Sequence, residues 1–295
     1  MTPESAREPL DLVWGWWQIG PKGLRIRVPT ALHRKVWQVF PSLALQVSQL
    51  RFQCNICGAA AASLWSRLGR ETASCPRCGS TVRWRGMIHA LSIGLFGKSI
   101  PLTDFPEDKS IRGKGMSDWS GYADPLSRKL GYENTFYHQE PFLDITTVPE
   151  SAFGTLDFLI SSDVYEHVPP PVRVAFENAH RLLKPGGVFV FSVPYVLQGT
   201  TIEHFPELHE FDTRHEDGRF VLHNVTRDGR RQTFENLNFH GGPGKTLEMR
   251  VFSLPDLLAH LKEAGFAKSR ILEQDDLRYG IHWPCRWSLP MVAVR

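Results

Sequence analysis

Long apolar runs are missing from this 295-residue chain. No stretch of about 18 consecutive apolar residues occurs, so no membrane-spanning helix is expected. The opening residues, MTPESAREPLDLVWGWW, place acidic groups ahead of any apolar stretch and offer no clean cleavage site. They do not read as a secretory leader, and a cytoplasmic location is expected. Cysteine is scarce as well: five residues, four of them crowded into one short segment, with Cys285 alone. Without an export signal, that usage argues for metal ligation and against a disulfide framework. Internal repeats and low-complexity tracts are absent, which sets aside solenoid and tail-like architectures.

Charge of one sign is not in large excess, the formal net charge being +3, but its distribution is uneven. Residues 1–100 hold 13 Lys/Arg and 4 Asp/Glu, a local +9, and the remainder carries −6. Either a small metal-bound lobe simply has little acidic surface, or it attracts a phosphate-bearing partner. An apolar content of 42% suits a chain of this length with one large α/β domain and a small appendage.

The segment RFQCNICGAAAASLWSRLGRETASCPRCGSTVRWRG has the form C-x2-C-x17-C-x2-C, through Cys54, Cys57, Cys75 and Cys78. Two thiolates three residues apart reach one ion only if the chain turns back sharply. Gly58 and Gly79 follow each second cysteine, where positive φ is expected, and Pro76 pre-sets the second turn. Four thiolates select a tetrahedral, soft or borderline ion, with Zn2+ first; an iron–sulfur centre or a redox dithiol pair is the alternative. An all-cysteine set leaves no open position, so the ion is expected to be structural. Arg77, Arg83 and Arg85 around the second knuckle are either phosphate contacts or a solvated face.

The domain reading is a helical segment over 1–50, broken at Pro29 and Pro41, a zinc ribbon over 51–85, and one catalytic domain over 86–295. A helix at RGMIHALSIGLFG follows the ribbon. From about residue 109, short apolar strands alternate with helices, the pattern of a parallel sheet with crossovers. Strand 1 is read near KSIRGKG, a helix near ADPLSRKLG, strand 2 in NTFYH and a third strand near FLDIT. Strand 4 is LDFLISS, followed by the helix PPPVRVAFENAHRLL, the linker LKPGG that ends it, and strand 5, GVFVFSVP. Residues 196–250 break this rhythm as a polar, His-rich insertion with a hairpin at FVLHNVTRDGRRQTF. The fold resumes with the helix FSLPDLLAHLKEAGF, capped by Ser253 and ended by Gly265, and two strands in SRILEQ and WSLPMVAVR.

LDFLISSDVYEHVPPPVRVAFENAHRLLKPGGVFVFSVP resembles the strand 4–helix–strand 5 block of class I S-adenosylmethionine (SAM) dependent methyltransferases of the type 11-like group. FSLPDLLAHLKEAGF is similar to their final helix. The resemblance covers roughly 105–295, and CPRCGSTVRWRG just before it is similar to zinc-ribbon bacterial methyltransferases. It implies a Rossmann-like α/β fold with a seven-stranded sheet, and SAM lying across the carboxyl ends of strands 1, 2 and 4. The family's loop after strand 1 has an acid followed by G-x-G-x-G; here the chain reads I-R-G-K-G-M-S-D. Gly113, Gly115 and Ser117 are small enough for backbone approach to SAM, or Gly113 and Gly115 merely form a turn. Asp118 stands in for the missing acid, facing the cofactor's ammonium group. Glu140 is placed to hold the ribose hydroxyls, with Gln139 and His138 as alternatives. Asp144 and Ile145 match the adenine-lining segment, and Ser161, Ser162 and Asp163 end strand 4 beside the transferable methyl.

A nucleophilic hydroxyl or amine needs a base, and histidine suits that role near neutral pH. The expected catalytic residues are His204 and His240 in the insertion and His167 after strand 4. Five histidines (His204, His209, His215, His223 and His240) fall in the insertion, with no H-x-x-x-H spacing to mark a helical metal site. The first substrate reading is a hydroxyl on a small or saccharide-like molecule, met by the polar insertion. The motif N-P-P-Y/F of base-amine methylation is absent, strand 4 ending S-S-D-V. RNA methylation using the basic ribbon lobe is one alternative, and a non-catalytic scaffold binding a partner through the ribbon is the other.

Overall fold

The computed structural model describes residues 14–19, 24–29 and 48–295, with side chains from residue 49 onward. The chain divides into two units. Unit 1 comprises Met1–Pro106, Trp119–Leu126 and Glu273–Cys285, and unit 2 comprises Glu107–Asp118, Ser127–Leu272 and Arg286–Arg295. Among the described residues no helix is long and apolar enough to cross a membrane.

Unit 1 is built on an antiparallel sheet of β1 (Trp14–Ile19), β2 (Leu24–Pro29), β3 (Ser48–Gln53) and β4 (Ala60–Leu64) in the order β2-β1-β3-β4. The helical reading of 1–50 is thus corrected at three places: 14–19, 24–29 and 48–50 are strands, and the rest of that segment lies outside the described residues. The reason is legible in Leu24–Pro29, L-R-I-R-V-P, whose apolar–basic alternation has the two-residue period of a strand. Helix α1 (Val82–Phe96) starts at Thr81, whose hydroxyl accepts from the Trp84 amide, and ends at Gly97 with φ +69°. Trp84 and Trp119 stack within this unit, ring centroids 3.9 Å apart.

Unit 2 carries the larger sheet. β5 (Asp108–Met116) is followed by α2 (Ser120–Lys129), which runs from unit 1 into unit 2, then β6 (Leu130–Thr135). β7 (Leu156–Ser162), α3 (Arg173–Leu182) and β8 (Leu183–Ser192) follow. Next come the short strands β9 (Tyr195–Val196) and β10 (Ile202–Glu203), then β11 (Glu210–Glu216), β12 (Arg219–Val225) and β13 (Arg231–Phe234). β14 (Phe239–His240), β15 (Thr246–Leu247), β16 (Arg250–Ser253), α4 (Leu254–Glu263), β17 (Lys268–Ile271) and β18 (Met291–Val294) complete it. The main sheet runs β17-β18-β8-β7-β5-β6, parallel from β8 to β6, with β17 and β18 antiparallel. This is a Rossmann-like α/β sheet whose core packs α3 and α4 side chains such as Phe176, Ala179 and Leu257 against Phe189 and Phe191 of β8.

Six strands form this sheet among the described residues, not the seven expected. The missing one is the third, near FLDIT. Phe142 makes a single bridge to Phe136, after which the Asp144 carboxylate accepts from both the amide and the hydroxyl of Thr146. That side-chain turn removes the backbone from strand geometry. LKPGG also differs from its reading: α3 ends at Leu182, and these residues form a bulge in β8, the β7–β8 register jumping from Leu183 to Val188. The expected Ser253 cap of α4 is present, its hydroxyl accepting from the Asp256 amide at 3.2 Å, and Gly265 follows the helix with φ +101°.

The insertion is a β-structured cap with its own small core of Phe205, Leu208, Leu222, Leu247 and Met249. Its expected hairpin is β12–β13, turning at Gly229 with φ +84°. Arg250 fastens the cap to the segment after β7. Wholly buried, it donates from Nε to Glu203 at 2.7 Å and from Nη1 to the carbonyls of Tyr165 (2.7 Å) and Val168 (2.6 Å). Arg250→Met is expected to cost about 3 kcal/mol, because it strands two buried carbonyls and a carboxylate at once. A denaturation midpoint unchanged from wild type would remove this role.

Candidate active site

The strands of the main sheet deliver the expected cofactor residues to one end. β5 runs through both glycines to Met116, so the G-K-G segment lies in the strand, and the turn is Ser117-Asp118-Trp119. Gly113 and Gly115 are small for a reason internal to the protein. A Cβ on Gly113 would lie 2.3 Å from the Phe158 ring, and one on Gly115 would lie 2.0 Å from both Asp118 Oδ2 and Tyr132 Oη. Ser117 takes a left-handed φ of +57°, a conformation that glycine adopts without strain. Asp118 is 7% exposed, and Oδ2 accepts from Tyr132 Oη at 2.6 Å. Its amide donates to Asn134 Oδ1 and its carbonyl accepts from Asn134 Nδ2, both at 2.9 Å. Tyr132 and Asn134 on β6 thus fix this carboxylate at the end of β5, a pair the sequence reading did not single out.

The other expected cofactor residues are placed less uniformly. β6 ends at Thr135, so Glu140 sits beyond it on an exposed loop, its Oε2 accepting from the Phe142 amide at 2.9 Å. Asp144 closes the turn described above, and Ile145 is a core residue whose carbonyl accepts from Asn178. Ser161 and Ser162 end β7 as expected, Ser161 being fully buried. Asp163 follows with φ +56°, and its Oδ1 accepts from Ser192 Oγ at 3.0 Å.

The three expected catalytic histidines come together. His240 Nε2 lies 2.9 Å from Glu248 Oε2, and His204 Nε2 lies 3.0 Å from Glu248 Oε1, so one carboxylate receives both N–H groups. His167 Nδ1 is 2.8 Å from the Leu247 carbonyl, an acceptor only, so Nδ1 carries the proton. The His167 and His240 rings meet edge to face with centroids 4.6 Å apart. Between them stands Glu166, fully buried, its Oε1 3.8 Å from His167 Nε2 and 3.9 Å from His240 Nδ1. The backbone here is held rigidly, the Met249 amide donating to the Glu166 carbonyl at 2.8 Å beside the Arg250 bonds already described. Burial lowers the proton affinity of His167, partly opposed by the Leu247 carbonyl. His209 and His215 are exposed, and His223 pairs with Glu216 at 3.1 Å, so these three stand apart. Sequence reasoning missed both acids. Glu166 stood in plain view in the E-H-V triplet, whereas nothing local marks Glu248.

In unit 1 the four cysteines converge. Sγ atoms of Cys54 and Cys78 are 3.7 Å apart, those of Cys57 and Cys75 are 3.8 Å apart, and all four lie within 4.8 Å of one another. A tetrahedron of 2.3 Å metal–sulfur bonds has edges of about 3.8 Å. Gly58 and Gly79 have φ of +73° and +75°, as the knuckles require. The hydrogen bond from Cys78 leads the effects that bring the Cys54 thiol down to about 4. Arg85 is buried against this cluster, donating to Ser80 and Ser74 and to the Gly280 carbonyl, which corrects its reading as a phosphate contact or solvated residue. Arg83 is engaged by Glu71, leaving Arg77 as the exposed one of the three.

Residues 108–270 match the family model described as a methyltransferase domain. Among curated proteins, none matches the chain in sequence. Solved structures similar to it include an S-adenosylmethionine-dependent methyltransferase from Clostridium acetobutylicum, 15% identical, covering 65% of this chain and 85% of that one, TM-score 0.37. Another is the 1,6-didemethyltoxoflavin N1-methyltransferase of Burkholderia thailandensis, at 14%, 71%, 78% and 0.39 respectively. A third is the sugar N-methyltransferase KedS8 of a Streptoalloteichus species, at 12%, 75%, 88% and 0.40.

Proposed function

The chain belongs to the methyltransferase-domain family, enzymes dependent on S-adenosylmethionine, and from that premise we propose that it methylates a hydroxyl of a small, saccharide-like molecule. When bound, SAM supplies an electrophilic methyl on a sulfonium. The observation that carries the acceptor reading is the His204–Glu248–His240 array of the cap, with His167, which closely follows β7, beside it. His240 is 39% exposed and its Nε2–H is committed to Glu248, so Nδ1 is the atom that accepts a hydroxyl proton. His204 shares the carboxylate and holds it in place, and His167 braces His240. The polar cap suits a polyol by offering hydrogen bonds in place of an apolar slot.

For the cofactor, Asp118 at the end of β5 is a buried carboxylate fitted to an ammonium group, and Ser117 gives close backbone approach. Ser161, Ser162 and Asp163 at the end of β7 flank the methyl, and Glu140 takes the ribose hydroxyls. Asp144 and Ile145 line adenine through their backbone, since their side chains are used in the turn and the core. Gly113 and Gly115 act through Phe158 and the Tyr132–Asp118 pair, not by direct contact. The Cys54, Cys57, Cys75 and Cys78 set holds a structural Zn2+, in keeping with its tetrahedral spacing. The RNA alternative is weakened by the burial of Arg85 and the pairing of Arg83.

Calorimetric titration with S-adenosylhomocysteine tests this reading. Micromolar binding is expected, weakened at least tenfold by Asp118→Asn. In a screen of sugars and small phenols, His240→Ala and His204→Ala are expected to lower kcat by about 100-fold at saturating substrate. Absence of binding would favour the non-catalytic scaffold. Binding with unimpaired turnover in both histidine variants would leave the family intact and remove the base.

A further inference from the structure

We propose that Glu166, His167 and His240 form a binding site for a divalent transition-metal ion, separate from the four-cysteine centre. One oxygen and two nitrogens from these residues lie within 4.8 Å of one another. What they present to each other is the decisive point. His167 commits its Nδ1–H to the Leu247 carbonyl, so its Nε2 lone pair faces inward, 3.8 Å from Glu166 Oε1. His240 commits its Nε2–H to Glu248, so its Nδ1 lone pair faces the same oxygen at 3.9 Å. Three electron-pair donors thus converge, each nitrogen lying farther from the carboxylate oxygen than a hydrogen bond spans.

A cation satisfies that arrangement. Metal–ligand bonds of 2.0–2.2 Å in a tetrahedron would put ligand atoms about 3.4 Å apart, a few tenths of an ångström closer than the two nitrogen–oxygen distances here. Both histidines also have the outer partners that metal-bound imidazoles have, a backbone carbonyl for one and a carboxylate for the other. Glu166 is fully buried, and its own backbone and its neighbours' are pinned by Met249 and Arg250. Two imidazoles and one carboxylate favour Zn2+, Mn2+, Co2+ or Fe2+ over Ca2+ or Mg2+. Three protein ligands leave positions open, toward the side on which His240 is exposed.

The ion's part in turnover rests on the methyltransferase reading; its binding does not. Held by Glu166, His167 and His240, an ion would supply Lewis acidity that lowers the proton affinity of an acceptor hydroxyl. In the transfer the carbon–sulfur bond breaks with its electron pair left on sulfur. The new carbon–oxygen bond forms from an oxygen lone pair, and the hydroxyl proton leaves to solvent. With an ion bound, His240 Nδ1 would be its ligand, and the role of base belongs to the ion-free protein.

Elemental analysis of the full-length protein, equilibrated with Zn2+ and desalted, tests the site without any assay of activity. Two equivalents per chain are expected, one of which is lost in His240→Ala and in His167→Ala, while the exposed-site control His215→Ala keeps both. Mn2+, which thiolates bind poorly, is expected to bind at one site, by electron paramagnetic resonance, in protein carrying a single equivalent of Zn2+ at the four-cysteine centre. Glu248→Gln, which retains every ligand but alters the partner of His240, is expected to weaken Mn2+ binding 10- to 100-fold. One equivalent of Zn2+ with no bound Mn2+, or a second equivalent indifferent to both histidine substitutions, overturns the proposal and leaves the methyl-transfer reading standing.

Discussion

Removing the Zn2+ proposed for the four-cysteine cluster is expected to unfold the knuckle region of unit 1. A strong thiol-competent chelator, or Cys57→Ser, should lower the thermal midpoint of that unit and open residues 54–80 to proteolysis. The expected effect is large because ion binding and local folding are one event in such sites, with apparent free energies of about 10–16 kcal/mol in zinc-finger peptides. Each knuckle is a tight turn closed by short backbone bonds, Gly58 to Cys54 at 2.8 Å and Gly79 to Cys75 at 2.9 Å. Arg85 adds to the loss. Burial depresses its proton affinity, and the four cysteines oppose that through their charge. With the ion gone the cluster would carry less negative charge, leaving a fully buried guanidinium to rest on Ser74, Ser80, the Gly280 carbonyl and the Phe52 ring. Arg85→Leu is accordingly expected to weaken zinc retention in a competition titration. Verified loss of zinc with an unchanged melting profile would make the centre dispensable.

This centre was legible in the sequence because its information is local: two C-x-x-C pairs, each with a glycine whose left-handed φ the turn demands. The β7–α3–β8 block was legible for the same reason, apolar runs bounded by turn residues. What escaped was information held between distant segments. Glu248 matters because β14 and β15 bring it beside His204 and His240, and no periodicity announces that. Glu166 was visible, yet it is the long-range bonds from Met249 and Arg250 to the backbone around it that fix it in the site. The N-terminal strands illustrate a different failure: apolar spacing around VWQVFPSLALQVSQL suggested helices where the L-R-I-R-V-P alternation already had a strand period. The third strand failed because Asp144 and Thr146 offered the backbone a competing side-chain turn.

Gly113 and Gly115 separate the packing and cofactor readings of the altered loop most sharply. A glycine kept for approach to SAM should, when changed to alanine, leave the cofactor-free protein stable and weaken cofactor binding. The structure leads to a different expectation. Phe158 is fully buried in the adjacent strand, and its ring cannot retreat from a Cβ placed 2.3 Å away. Gly113→Ala is therefore expected to destabilise the cofactor-free protein by about 3 kcal/mol, or roughly 6–12 °C in thermal midpoint for a unit of this size. The folded fraction should still bind S-adenosylhomocysteine with near-normal affinity. Gly115→Ala should do both kinds of damage. Its Cβ falls 2.0 Å from each partner of the Tyr132–Asp118 hydrogen bond, so the bond must break and the carboxylate must move. A comparable loss of stability joined to a tenfold or greater loss of S-adenosylhomocysteine affinity is expected for Gly115→Ala alone. If both variants instead melt like wild type and bind weakly, the glycines serve the cofactor directly and the packing account of the loop is wrong.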